Sequence, residues 1–224
     1  MPFRRRLFPL IMAGCGQFFA LTLIAMLFYA GGTITNPMAP RYQFFNNFFS
    51  DLGMTVAHNG QSNTLSFLLF TVALSLAGLS LVAFFLLMPT FFRGDTLGLT
   101  LARLGTLLGI IAGLCFIGVA FTPANLLIEA HVNFVFGAFG SYFVAVLFYL
   151  GAMLKVRVFN WRYLAVFFGF TLILGSYLWL LFGGPQEGDM ALTIQVTGQK
   201  IVAYAALITV FILAYGAYQK QAEI

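Results

Sequence analysis

The sequence predicts an all-α, polytopic membrane protein: six transmembrane helices with a short interfacial helix in the first outer loop. Three observations carry that prediction. Of 224 residues, 61% are hydrophobic and only 8% are charged, against roughly 25% charged in a soluble domain. Six apolar runs reach the ~20 residues that a helix needs to cross a bilayer. The basic residues recur in alternate connections, as they do on one side of a membrane. With a mean hydropathy of +0.97, a water-soluble enzyme is excluded, and isolated polar residues become the informative ones.

The runs lie at about 7–31, 65–88, 101–122, 131–154, 163–183 and 198–218, and they form one domain over 1–224. Arg4, Arg5 and Arg6 precede the first. Met12-Ala13-Gly14-Cys15 loosely matches a lipoprotein cleavage box, but the apolar run before it is too short for a signal-peptide core and continues past the cysteine. An uncleaved first helix is expected. Cys15 and Cys115 fall in different spans at different depths, too far apart for the ~7 Å Cα separation of a disulfide.

The first connection, 32–64, is the long one. Within it, Gln43-Phe44-Phe45-Asn46-Asn47-Phe48-Phe49-Ser50-Asp51-Leu52-Gly53 separates on a helical wheel. Phe44, Phe45, Phe48, Phe49 and Leu52 fall on one side, and Asn46, Asn47, Ser50 and Asp51 on the other. This spacing predicts an amphipathic helix over 44–52 lying along the membrane surface, with Gly53 as a left-handed C-cap.

In the third and fourth runs, Gly105, Gly109 and Gly113, then Gly137, Ser141 and Ala145, recur every four residues. Small residues at that spacing let helix backbones approach closely. Pro123 follows the third run as a helix stop. Trp161, Tyr163, Tyr177 and Trp179 read as interface anchors.

Charge sets the orientation. Arg4, Arg5, Arg6, Arg93, Arg103, Lys155, Arg157, Arg162 and Lys220, nine of the eleven basic residues, belong to one side; Arg41 and Lys200 belong to the other. Both termini are then cytoplasmic. The acids and histidines distribute oppositely: Asp51, His58, Glu129, His131, Glu187 and Asp189 fall in outer loops or outer helix ends.

That outer face holds the candidate site. Asp51, with Ser50 beside it, and His131 are the candidate catalytic groups, as general base, acid or water-holding residues. Lys200, Gln199, Asn47, Glu129 and His58 are candidate ligand-binding groups. Lys200 sits on the side that the charge rule disfavours, so it needs an anionic partner: Asp51, Glu129 or a lipid phosphate. Two histidines and an acid could hold zinc, but no His-x-x-x-His or His-x-Glu spacing is present; neither metal nor cofactor is assigned. No phosphate-cradling glycine loop, nucleophile elbow or Cys-x-x-Cys occurs, and nothing supports nucleic-acid binding.

Phe49-Ser50-Asp51-Leu52-Gly53 after a first span resembles the Ser-Asp/Glu-Leu-Gly signature of the prokaryotic membrane family labelled domain of unknown function 998. Ala130-His131-Val132-Asn133 opening the fourth span and Gln199-Lys200-Ile201-Val202 opening the sixth resemble its later motifs. A similar signature occurs in the more distant DRAM and FGF-receptor-activating-protein (Frag) families. The usual proline after the signature glycine is absent, and Lys200 replaces an arginine, which keeps the charge but weakens bidentate recognition. The resemblance implies six spans, a prokaryotic inner membrane and a site at these positions. It implies no reaction.

Three functions follow as expectations. The first is binding or modifying an outer-leaflet lipid, the membrane lipid being the partner. The second is a hydrolase in which Asp51 and His131 hold water, with or without a metal. The third is a structural or partner-binding subunit in which the same residues lock the first loop onto the bundle.

Overall fold

A computed structural model describes residues 2–183 and 188–221. Among the described residues there are six α-helices: α1 Pro2–Phe28, α2 Thr64–Leu87, α3 Thr96–Ala120, α4 Ile128–Val156, α5 Trp161–Phe182 and α6 Asp189–Lys220. Each is long and apolar enough to span a membrane. Glu187 lies outside the described residues. A 3₁₀ segment, Met88–Phe92, extends α2, and a second, Phe49–Gly53, lies in the first loop.

Helices adjacent in sequence pack side by side, and α6 closes the ring on α1. The α3–α4 contact is the most extensive, whereas α5 is held loosely by α4 and α6. Small residues set these distances, but against more than one neighbour. A Cβ on Gly105 would meet the Tyr149 ring of α4 at 2.7 Å, and one on Gly113 would meet the Gly78 carbonyl of α2 at 2.8 Å. The third span's glycine stripe therefore serves α2 as well as α4. Tyr177 is 6% exposed and packs edge-on to Phe139, so it belongs to the core rather than the interface, unlike the exposed Trp161 and Trp179.

With six crossings both termini lie at one end of the bundle, and the Arg5 guanidinium sits 4.7 Å from the Tyr218 ring there. The long first loop covers the opposite end. There, α6 starts at Asp189, well before the apolar run at 198, because Thr193, Gln195, Thr197, Gln199 and Lys200 dilute hydropathy without breaking a helix. Lys200 consequently stands about 16 Å along the helix axis from the α6 start.

Candidate functional site

The first loop is a folded plug. Two glycines begin it just beyond α1: Gly31 at φ 119° and Gly32 at φ 83°, conformations that side chains disfavour. A Cβ on Gly32 would also come within 2.4 Å of the Asn59 backbone nitrogen. Asn59 and Asn63 then stitch the loop to itself. Asn59 Nδ2 donates to the Ala30 carbonyl at 2.6 Å, Asn63 Nδ2 donates to the Met54 carbonyl at 2.9 Å, and Asn63 Oδ1 accepts from Ala30 N.

The stretch 44–52 is not one amphipathic α-helix. Asn46 N and Asn47 N both donate to the Gln43 carbonyl in a turn, and helical structure resumes only as the 3₁₀ segment Phe49–Gly53. Burial does not divide the two faces either: Asn47 and Asp51 are buried together with Phe49 and Leu52, while Phe44 and Phe45 are exposed. The carbonyl of Asn47 explains the departure. In an α-helix it would accept from Asp51 N. Here Asp51 N turns to the Phe48 carbonyl instead, which leaves the Asn47 carbonyl for Lys200. Gly53 likewise has another reason than a left-handed cap, for its φ is not positive. A Cβ there would lie 2.7 Å from the Phe70 ring, so glycine is needed for close approach to α2.

Asn47, fully buried, is the centre of the network. Its Nδ2 donates to the Gly32 carbonyl at 2.9 Å and to Asp51 Oδ2 at 3.0 Å, and its Oδ1 accepts from Gln43 N at 2.9 Å. Lys200 Nζ donates to its carbonyl and, at 3.0 Å, to the carbonyl of Val196. The ammonium also lies 5.1 Å from the Phe44 ring centre and 5.6 Å from that of Tyr42, an arrangement favourable for a desolvated cation.

Lys200 is thus fully buried and is joined to Asp51 through Asn47 rather than directly. Among the described residues no carboxylate lies within ion-pair distance of it; the one close charge contact of Asp51 is His58 Nε2, at 3.3 Å. Asp51 Oδ2 also accepts from Phe48 N at 2.9 Å.

Two further side chains fasten the plug. Phe49 inserts between α1, α2 and α6, with Phe18, Phe70 and Tyr204 at ring distances of 5.6, 5.9 and 5.3 Å; such pairs contribute about 0.5–1.5 kcal/mol each beyond burial. Gln199 Oε1 accepts from Phe49 N at 2.7 Å. Beneath them, an apolar crevice runs into the bundle between α1, α2, α3, α4 and α6. Its upper part has only Ser50 and Gln199 as polar lining groups, and it adjoins a deeper part reaching Tyr142, Leu207 and Val210. Phe18, Leu74, Phe116 and Ala203 line both parts, each with ≈ 40 Å³ of free volume.

The other candidates stand apart. His131 is buried, and its Nδ1 bonds the Thr122 carbonyl at 2.7 Å, tying α4 to the end of α3. A carbonyl only accepts, so Nδ1 carries the proton and Nε2 keeps its lone pair in the neutral ring. No hydrogen bond joins His131 to Asp51 among the described residues. Glu129 is exposed at the start of α4, away from Lys200's bonds. Among the described residues no three His, Cys, Asp or Glu side chains group as a metal-ligand set. Tyr42, Asn59, Asn63 and Thr122 were missed by the sequence reading. The Gly31-Gly32 pair and the loop's many asparagines were the available signals, since asparagine favours turns closed by side-chain bonds.

The Asp51 contact raises the His58 pKa above its ordinary 6.5, outweighing the opposing effect of partial burial. Protonated His58 therefore stabilises the loop. That contribution is complete below pH 6.5 and is lost as pH rises through the higher folded-state value. The stability advantage of wild type over His58→Gln should be larger at about pH 6 than at about pH 9. Thermal unfolding in detergent at both pH values checks this; a pH-independent difference would contradict it.

Comparisons with protein-family models, curated proteins and solved structures find no match to this chain.

Proposed function

We propose that this protein binds a membrane lipid by an apolar chain held in the crevice, beneath the plug, with the lipid's polar end at Ser50 and Gln199. The observation that carries the reading is the crevice itself: apolar walls, and two hydrogen-bonding side chains at the end beneath the loop. Pockets of that make-up are the default ligand sites of proteins. A small apolar cavity does not hold water well, so a hydrocarbon chain is the fitting occupant. Each part has only ≈ 40 Å³ of free volume, so a chain enters by displacing side chains. The loosely held α5, with α6 packed on α1 and α5 but hardly on α4, leaves room for that displacement.

Orientation completes the reading. Nine of eleven basic residues lie at the termini end, which supports a cytoplasmic position for that end and an outer-leaflet position for the plug, in a membrane we read as a prokaryotic inner membrane. The motif resemblance to the family labelled domain of unknown function 998 is consistent with a site there. Lys200 acts as the fastener of the plug in this reading, not as the contact for a lipid phosphate, because its recorded bonds are to carbonyls of the chain. Asp51 and His131 likewise serve bonds within the protein.

The test uses a phospholipid carrying a diazirine in its acyl chain, photolysed with the protein in nanodiscs. Labelling is expected on peptides containing Phe116 and Leu207 as well as on lipid-facing Leu107 and Leu172. Ala203→Phe, which fills the crevice, should reduce the crevice label about tenfold and leave the lipid-facing label unchanged. Labelling confined to lipid-facing positions would refute the proposal.

A further inference from the structure

A second groove lies at the opposite end, independent of the crevice. Lys155 in the last turn of α4, Arg157 in the connection that follows and Arg162 in the first turn of α5 are all exposed. Among the described residues Arg157 is the only non-glycine with positive φ, at φ 50° and ψ 33°, where it caps α4. Helices commonly end in this conformation, but with glycine or asparagine at the left-handed position. Arginine gains nothing there from its backbone, so a use for its side chain is the natural place to look.

The surroundings supply one. Arg157 opens onto a groove of ≈ 370 Å³ whose other walls are Met153, Leu154, Phe159, Trp161 and Leu164. Phe159 and Met153 form a buried floor, and Trp161, 71% exposed, stands at the rim. Among the described residues no acid pairs with Arg157. A guanidinium at the polar end of an apolar groove, with an indole beside it and two more cations on the flanking helix turns, complements one kind of molecule. It is an amphiphile with an anionic phosphodiester head and hydrocarbon tails. Arginine bonds phosphate oxygens in a bidentate fork, tryptophan favours the headgroup boundary, and Leu154 and Leu164 face the tails.

We infer that the Arg157–Trp161 groove is a binding site for an anionic glycerophospholipid. The site would recognise the leaflet at the termini end and hold the loosely packed α5 against α4 there.

Trp161 is its own reporter. In a Trp179→Phe background it is the single tryptophan of the chain, and its fluorescence can be quenched by lipids brominated along the acyl chain. Brominated phosphatidylglycerol, doped into phosphatidylcholine nanodiscs, is expected to quench Trp161 at a mole fraction about fivefold lower than brominated phosphatidylcholine does. Arg157→Gln should abolish that preference, whereas Arg103→Gln, at the same end, should keep it. Arg157→Gly should also abolish it while the melting temperature stays level or rises, since glycine suits the left-handed cap. Equal quenching by the two lipids would overturn the inference, as would equal loss of preference in Arg103→Gln, which would mark diffuse surface charge. A large fall in melting temperature in Arg157→Gly with the preference intact would also overturn it, for the arginine would then serve the fold.

Discussion

Asn47→Leu is expected to lower stability by about 4 kcal/mol or more and to release the first loop from the bundle. The side chain is fully buried and makes three hydrogen bonds, to the Gly32 carbonyl, Asp51 Oδ2 and Gln43 N. Leucine keeps the branched outline, is bulkier, and satisfies none of them. Each buried group left unpaired costs about 1–3 kcal/mol, and the Asp51 carboxylate, being charged, lies at the upper end. The isosteric Asn47→Asp should also be harmful, because it replaces two N–H donors with a second carboxylate beside Asp51. Thermal unfolding in detergent, with limited proteolysis across residues 32–64, checks both. A leucine variant within about 1 kcal/mol of wild type would mean that the asparagine is not the centre of the loop.

Lys200→Met is the second large effect. Methionine fills much the same space, so packing is nearly kept while the ammonium is lost. That strands the Asn47 carbonyl and removes a charge-assisted bond, at a cost of about 1–3 kcal/mol. Relief from burying the cation offsets part of this, which is why the effect should be smaller than that of Asn47→Leu. The loss should be local: the plug loosens while α2, α3 and α4 keep their packing, because Lys200 bonds only the loop and its own helix.

The sequence was legible where the physics is periodic or charged. Six apolar runs identify six helices, because lipid-facing length is read directly from composition. A lysine in the last span, on the side that the charge rule disfavours, announced that it needed a partner, and the polar residues Asn47 and Asp51 marked where the loop's interactions gather. The identity of the partner was not legible. Lys200 bonds main-chain carbonyls, and a carbonyl leaves no mark in a sequence; the expectation of an anionic partner, Asp51, Glu129 or a lipid phosphate, followed from charge alone. The helical wheel over 44–52 grouped Asn47 with Asp51 correctly. It assumed, however, that each carbonyl goes to the amide four residues on, and the Asn47 carbonyl is diverted to Lys200. Reading Gly53 as a turn residue failed for a similar reason, since its neighbour Phe70 is distant in sequence and invisible to local rules.

Hydrogen exchange of the backbone amides in Tyr42–Met54 tests the central claim, a folded plug fastened from inside the bundle, most directly. In wild-type protein in nanodiscs, Asn46, Asn47, Asp51 and Met54, whose amides are bonded within the loop, should exchange at least a hundredfold more slowly than an unstructured chain. In Lys200→Met the same amides should approach unstructured rates while those of α3 and α4 stay protected. Fast exchange of this segment in the wild type, or unchanged protection in Lys200→Met, would contradict the account.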